Sequence, residues 1–174
     1  MAGVSARDEL VAVYDEAGEP VGSAPRWRMR QEGLWHAATS ILVRSGDGTA
    51  AYVHRRTEHK DVNPGAHDCF AGGVVAAGEL PGSCAERELA EELGVRGVPL
   101  EFRFRSVFER GSIRHHGFVY EVRWDGPLVH QPEEVADGWW MPLAELRERV
   151  ADPEWPFAAD SRQFIQEWFT RQEA

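Results

Sequence analysis

Between Gly73 and Val95 the chain reads GVVAAGELPGSCAERELAEELGV. Gly73 is followed after five residues by Glu79, and after seven more by Arg87-Glu88. Leu89, one free position, Glu91-Glu92, another free position, Gly94 and Val95 complete the series. From about Ser83 to Leu93 the residues suit a helix. Ser83 can cap its N-terminus with Glu86 three residues on, a capping-box pattern. Gly94 stands where a left-handed residue ends a helix. Ala85, Leu89 and Leu93 recur every four residues as a stripe that must face a core. The stretch therefore demands a helix laid on a core, entered from a small apolar loop whose one charge is Glu79.

Glu88, Glu91 and Glu92 lie at i, i+3 and i+4, so three carboxylates can share one face. Arg87 can pair with Glu91 at i+4, and the remaining carboxylates repel by about 0.2–0.5 kcal/mol per like pair. A bound cation would turn that repulsion into binding energy. Magnesium suits, being a hard ion that takes carboxylate oxygens, waters and substrate phosphates. The alternative for such a helix is a solvated acidic face, against which the register and the glycine-bearing loop both argue. Glu79 is expected to orient Arg87 or a water at the metal. Gly73, without a side chain, lets its carbonyl approach a metal.

The chain has 174 residues, enough for one domain spanning 1–174 with a real core. Its net charge of −10 argues against nucleic-acid polymers and anionic membranes as partners. It leaves a nucleotide substrate open, because a metal can screen phosphates locally. No apolar run approaches a membrane span, and MAGVSARDELVAVYDE lacks the pattern of a signal peptide. Cys69 and Cys84 form no metal-type pair, so a reducing cytoplasm is the expected location.

Taken in order, Glu9–Tyr14 reads as a strand, 15–19 as a turn and Pro20–Gly22 as a short return, giving an N-terminal hairpin extension over about 8–30. RWRMRQEGLWH (26–36) reads as an amphipathic connector or a grip on substrate phosphates. A core from about 35 to 150 follows. Ala37–Arg44 and Thr49–Arg56 read as strands joined by a turn at 45–48. Arg55, Arg56 and Lys60 form the densest positive cluster, suited to phosphate contact or simply to a soluble strand end. Strands are expected over 98–110, with Phe102 and Phe104 alternating against Arg103 and Arg105, and over 113–124. A long loop carries Glu133 and Glu134, Trp139–Met141 form a short last strand, and Pro142 opens a helix in its first turn. A C-terminal helix over about 161–172 presents Phe164, Ile165, Trp168 and Phe169 to the core.

The register G, five residues, E, seven residues, R-E-U-x-E-E-x-G-U (U apolar) resembles the Nudix box, with every fixed position filled. The resemblance implies an α+β fold, a mixed curved sheet between helices. It also implies hydrolysis of a diphosphate linkage in a nucleoside diphosphate derivative or related small molecule. Magnesium is the implied cofactor, with manganese as a substitute. Glu88, Glu91 and Glu92 are the implied metal ligands, with the Gly73 carbonyl, while Arg87 and Glu79 fix the loop to the helix. Glu88 is one candidate base, and Glu133 or Glu134 another. Arg55, Arg56, Lys60 and Glu134 are candidate substrate contacts. Homodimers are compatible with the family.

The N-terminal hairpin and the Arg-rich connector with His36 are similar to isopentenyl diphosphate isomerase, a relative sharing that fold. Its chemistry needs a cysteine just ahead of an altered box, where this chain has Gly72, with Cys69 three residues earlier. It also needs a glutamate where this chain reads RHHG (114–117), so hydrolase chemistry on an isomerase-like frame is expected. Isomerisation and a non-catalytic ligand sensor are the alternatives. His115 and His116, adjacent on a strand, are expected to face opposite ways. Cys69 is expected to act as a buried small hydrophobe.

Overall fold

The computed structural model describes residues 5–174; the first four, part of the expected 1–174 domain and of the N-terminus read as free of a signal peptide, lie outside them. Strand β3 (His36–Arg44) is the hub. It pairs antiparallel with β1 (Leu10–Tyr14), with β4 (Ala50–Arg56) and with β6 (Phe70–Ala71). It pairs parallel with β8 (Ile113–Arg123) over its whole length, from His36↔His115 to Arg44↔Arg123. β2 (Pro20–Pro25) closes one edge on β1, and β7 (Glu101–Arg110) closes another on β8. The sheet is mixed, as expected.

The turn at 45–48 does not make a regular hairpin. β3 and β4 meet only at Arg44↔Ala51. β4 then runs along β9 (Val135–Pro142), from Ala50↔Pro142 to Arg56↔Val135, with β5 (His67–Asp68) beside it. The place next to β3 is taken by β6, through Ile41↔Ala71 and Leu42↔Phe70. Past β6 the chain stays on that edge, with Thr39 N–H donating to the Gly73 carbonyl at 2.9 Å and Val75 N–H to Ala37 at 2.9 Å. The sheet thus splits beside β3, and Gly72-Gly73 lies in the split.

Alternation along the strands sends side chains to two cores. Leu42 and Val119 face α3 (Leu143–Ala151) and α4 (Ala159–Gln172), joining Leu146, Phe164 and Trp168. Ile41, Val43 and Val122 face α2 (Pro81–Leu93), joining Ala85, Leu89 and Leu93. Leu89 and Leu93 are fully buried, each worth about 1.5–3 kcal/mol against exposure. The buried Phe164, Ile165, Trp168 and Phe169 match the expected apolar face of the last helix.

Three local readings need correction, and the 26–36 connector is given its form. α2 starts at Pro81, with Leu80 as N-cap and no side-chain cap, so Ser83 sits inside the first turn rather than capping it. Pro at the first helical position supplies a fixed φ and needs no N–H partner, which makes a hydroxyl cap dispensable. Phe102 and Phe104 do not share a face: a register shift lies between them, leaving Phe102 exposed and Phe104 buried. Residues 26–32 form a helix, α1 (Arg26–Glu32), anchored by buried Met29 and ended by left-handed Gly33. Pro142 is the N-cap of α3, one position before its first turn.

Candidate active site

Helix α2 presents its three box glutamates at graded depth. Glu92 is buried, Glu88 is partly buried and Glu91 is exposed. Arg87 gathers the loop and the helix together. Its Nε and Nη2 donate to the two carboxylate oxygens of Glu79 at 2.8 and 3.0 Å, a bidentate pair. Nη1 reaches Glu88 at 2.7 Å and Glu91 at 3.3 Å. Glu79 in turn accepts the Ala76 N–H at 3.0 Å, closing the loop on itself. The Arg87 guanidinium holds the Glu79 carboxyl below its ordinary pKa, and Glu79 raises that of Arg87.

Glu92 accepts the Gly72 N–H at 3.1 Å. Burial, with Glu88 beside it, pushes its pKa up to about 8, against the pull of nearby Lys60. Burial also raises that of Glu88. Two desolvated carboxylates on adjacent turns are the arrangement a cation would relieve. Gly73 fits them closely: a Cβ there would stand 2.6 Å from the Glu88 carboxylate. Its carbonyl accepts the Thr39 N–H at 2.9 Å, with the Thr39 hydroxyl at 3.4 Å and the Cys84 thiol at 3.8 Å as longer donors that a metal would have to displace. Gly72 has φ +149°, and a Cβ there would overlap the Thr39 carbonyl.

These groups line a cleft of about 740 Å³, within the usual range for small-molecule sites. Arg87, Glu88, Glu91 and Glu92 form one wall with Gly72-Gly73. Lys60 and the 131–134 loop bring in Glu133 and Glu134, and α1 contributes Arg26, Trp27 and Arg30. The loop is pinned: Thr57 donates its hydroxyl to the Glu133 carbonyl at 2.8 Å, and Gln131 N–H donates to the Glu92 carbonyl at 3.0 Å. Glu134 pairs with Lys60, whose pKa burial lowers. Arg26 and Arg30, four apart on α1, both face Asp61, at 3.6 and 3.1 Å.

Among the described residues no three His, Cys, Asp or Glu side chains already converge on a common metal point. The cause is visible: Arg87 draws Glu88 and Glu91, and Lys60 draws Glu134. The donor set remains all oxygen, which fits a hard divalent ion.

Of the basic cluster, Lys60 alone lines this cleft. Arg55 borders neither that cleft nor the smaller cavity behind it, and pairs with Glu58 at 3.7 Å. Arg56 spends its guanidinium on the Val62 and Asn63 carbonyls and Asp68, holding a loop. Arg26 and Arg30 also line the cleft, where a grip on substrate phosphates, one of the two readings of 26–36, would need them. His115 and His116 do point to opposite faces, the first against Phe108 and Phe164, the second against Trp35. Both are buried, not on the surface. Cys69 is buried and its thiol is pushed well up by burial, which suits packing and not chemistry.

A NUDIX domain model matches residues 34–168. The chain belongs to the Nudix family. This Nudix chain is 46% identical over 170 residues to the Nudix hydrolase orf19 of Rhodococcus erythropolis, covering 92% of each. It is 40% identical over 136 residues to the Nudix hydrolase YfcD of Escherichia coli K12, covering 78% of this chain and 75% of that one. Its fold is similar to the crystal structure of DR0079 from Deinococcus radiodurans, with a TM-score of 0.75 at 25% identity over 91% of this chain and 98% of that one. The Nudix domain of Shewanella oneidensis NrtR, solved with ADP ribose, shares the fold at a TM-score of 0.62 and 19% identity, covering 79% and 88%.

Proposed function

We propose that this Nudix hydrolase cleaves the diphosphate linkage of a small molecule, a nucleoside diphosphate derivative or related compound, with magnesium as cofactor and manganese as a substitute. The observation that carries the reading is the pair of desolvated carboxylates, Glu88 and Glu92, set against the bare backbone of Gly73 in a cleft of substrate size. Glu88 and Glu92 would hold the ion, Glu91 would support it from the exposed side, and the Gly73 carbonyl would join the set by giving up its longer contacts to Thr39 and Cys84. When bound, the ion supplies polarisation of the phosphoryl oxygens and a lowered pKa for attacking water.

The chain's own residues do the rest. Arg87 and Glu79 hold the loop against the helix, so Gly73 and Glu88 keep their spacing. Arg26, Arg30 and Lys60 take the charge of the phosphates. An incoming phosphate competes with Glu134 for Lys60 and frees the Glu134 carboxylate to accept a proton from water. Water oxygen bonds to phosphorus, the anhydride P–O bond breaks, and the leaving phosphate keeps the electron pair. The compact chain acts alone or as a homodimer, on small molecules and not on nucleic-acid polymers or membranes, in the cytoplasm.

The test is release of phosphate or of two phosphate monoesters from a panel of nucleotide sugars, dinucleotides, nucleoside triphosphates, coenzyme A and isoprenoid diphosphates. Each is run with magnesium, manganese or chelator, beside Glu92→Gln. Metal-dependent release lost in the variant is expected. Tight binding without product under either metal would refute catalysis, and isomerisation of isopentenyl diphosphate without release would refute the reaction.

A further inference from the structure

Past Gly72 and Gly73 lies an inner chamber of about 90 Å³. It shares Arg26, Arg30, Lys60, Asp61 and the two glycines with the outer cleft. A molecule seated at the box can therefore reach both spaces. At roughly 10–15 Å³ per water-sized sphere, the chamber takes a small group of about six to nine heavy atoms.

Its inner end is built by His36 on β3, His115 on β8 and Asp160 at the start of α4. The other charges around it leave a cation over: Arg26 and Arg30 share Asp61, while Arg56 faces Asp68 and Lys60 faces Glu134. Asp160 is different. Its Oδ1 accepts the Ser161 N–H at 3.0 Å, while Oδ2 stands 3.7 Å from His115 Nε2. His115 is 4% exposed, and its Nε2 has no hydrogen-bond partner among the described residues. A separation of 3.7 Å is too long for a direct hydrogen bond, but one oxygen about 2.8 Å from each atom would bridge it.

The chemistry of that oxygen follows from the two groups. Burial depresses the His115 pKa to about 3, so the ring is neutral. It then carries one N–H and one lone pair. With the proton on Nε2 it donates and Asp160 accepts, the complement of a hydroxyl. His36 Nδ1, 3.1 Å from the Leu34 carbonyl, keeps its proton there and leaves Nε2 as a further acceptor. The four cations that border this space leave little attraction for an ammonium.

We propose that the inner chamber is a subsite for a hydroxyl-bearing group on the diphosphate substrate, held between His115 Nε2 and Asp160 Oδ2. The proposal rests on the hydrolase reading above. Three adenosine diphosphate esters test it, differing only in a hydroxypropyl, aminopropyl or butyl group on the second phosphate. Their kcat/KM values are measured with magnesium. Binding of their non-hydrolysable α,β-methylene analogues is read separately from the His115 ¹⁵N resonance of histidine-labelled protein.

The hydroxypropyl ester is expected to exceed the butyl ester about tenfold, equivalent to about 1.4 kcal/mol. Asp160→Asn and His115→Phe each bring that ratio within about twofold, with His115→Gln in reserve should the phenylalanine variant not fold. A His115 resonance moved by the hydroxypropyl analogue alone, with no ester hydrolysed, would keep the subsite and remove the hydrolase reading. Equal hydrolysis of all three esters with an unmoved resonance would remove the subsite and keep the hydrolase. Preference for the aminopropyl ester, or neither hydrolysis nor shift, would overturn the proposal.

Discussion

Replacing Glu92 by Gln should make the metal-free protein more stable at alkaline pH. The carboxyl is buried, accepts one backbone N–H from Gly72, and is raised from 4.5 to about 8 by burial and by Glu88. A carboxyl with a raised folded pKa binds its proton more tightly in the folded chain. Its favourable contribution is complete below 4.5 and is lost as pH climbs through about 8. At about 1.36 kcal/mol per pH unit, the full loss is bounded near 5 kcal/mol, with Lys60 recovering part of it. Gln keeps an oxygen for the Gly72 N–H and carries no charge. Urea unfolding in chelator, from pH 5 to pH 9, should give wild type a downward slope that Glu92→Gln lacks. Magnesium should restore wild type and leave the variant unchanged. Parallel pH slopes for the two proteins would refute the assignment of that strain to Glu92.

Arg87→Lys should cost about 2 kcal/mol in unfolding, because an ammonium cannot replace the bidentate fork on Glu79, and calorimetric melting reads the loss. Gly73→Ala should leave the melting temperature nearly unchanged while weakening manganese binding more than tenfold in titration calorimetry, since the Glu88 carboxylate, a flexible end, must move aside. Gly72→Ala should instead unfold the chain at lower temperature, because its clash is with the Thr39 backbone. Glu134→Gln should lower kcat with little change in KM, and Lys60→Met should raise KM, as steady-state kinetics on the best panel substrate would read.

The box was legible because its constraints are local. The apolar stripe of α2, the cap at Gly94 and the Arg87–Glu91 spacing all follow from helical periodicity. The cap at Ser83 misled because a serine near a helix start signals capping only when no proline has already fixed the entry, and Pro81 had. Elements whose form depends on distant partners were less legible. β4 leaves β3 because β6 fills the edge, an event set by residues 70–71 and invisible at the 45–48 turn. The bulge in β7 hides behind an alternation that continues across it. Arg55 and Arg56 looked equivalent, yet only the ladder decides that one points to solvent and the other into the 62–63 carbonyls. The Asp160–His115 pair joins α4 to β8, and no local pattern marks it.

Manganese binding followed by electron paramagnetic resonance tests the central claim most directly. Free manganese gives a sharp signal that fades when the ion is held by the protein. Wild type should quench it, hydrolysis of the best panel substrate should rise along the same titration, and Glu88→Gln with Glu92→Gln should abolish both in a folded protein. Undiminished manganese binding by the double variant, or hydrolysis that persists in chelator, would contradict the account.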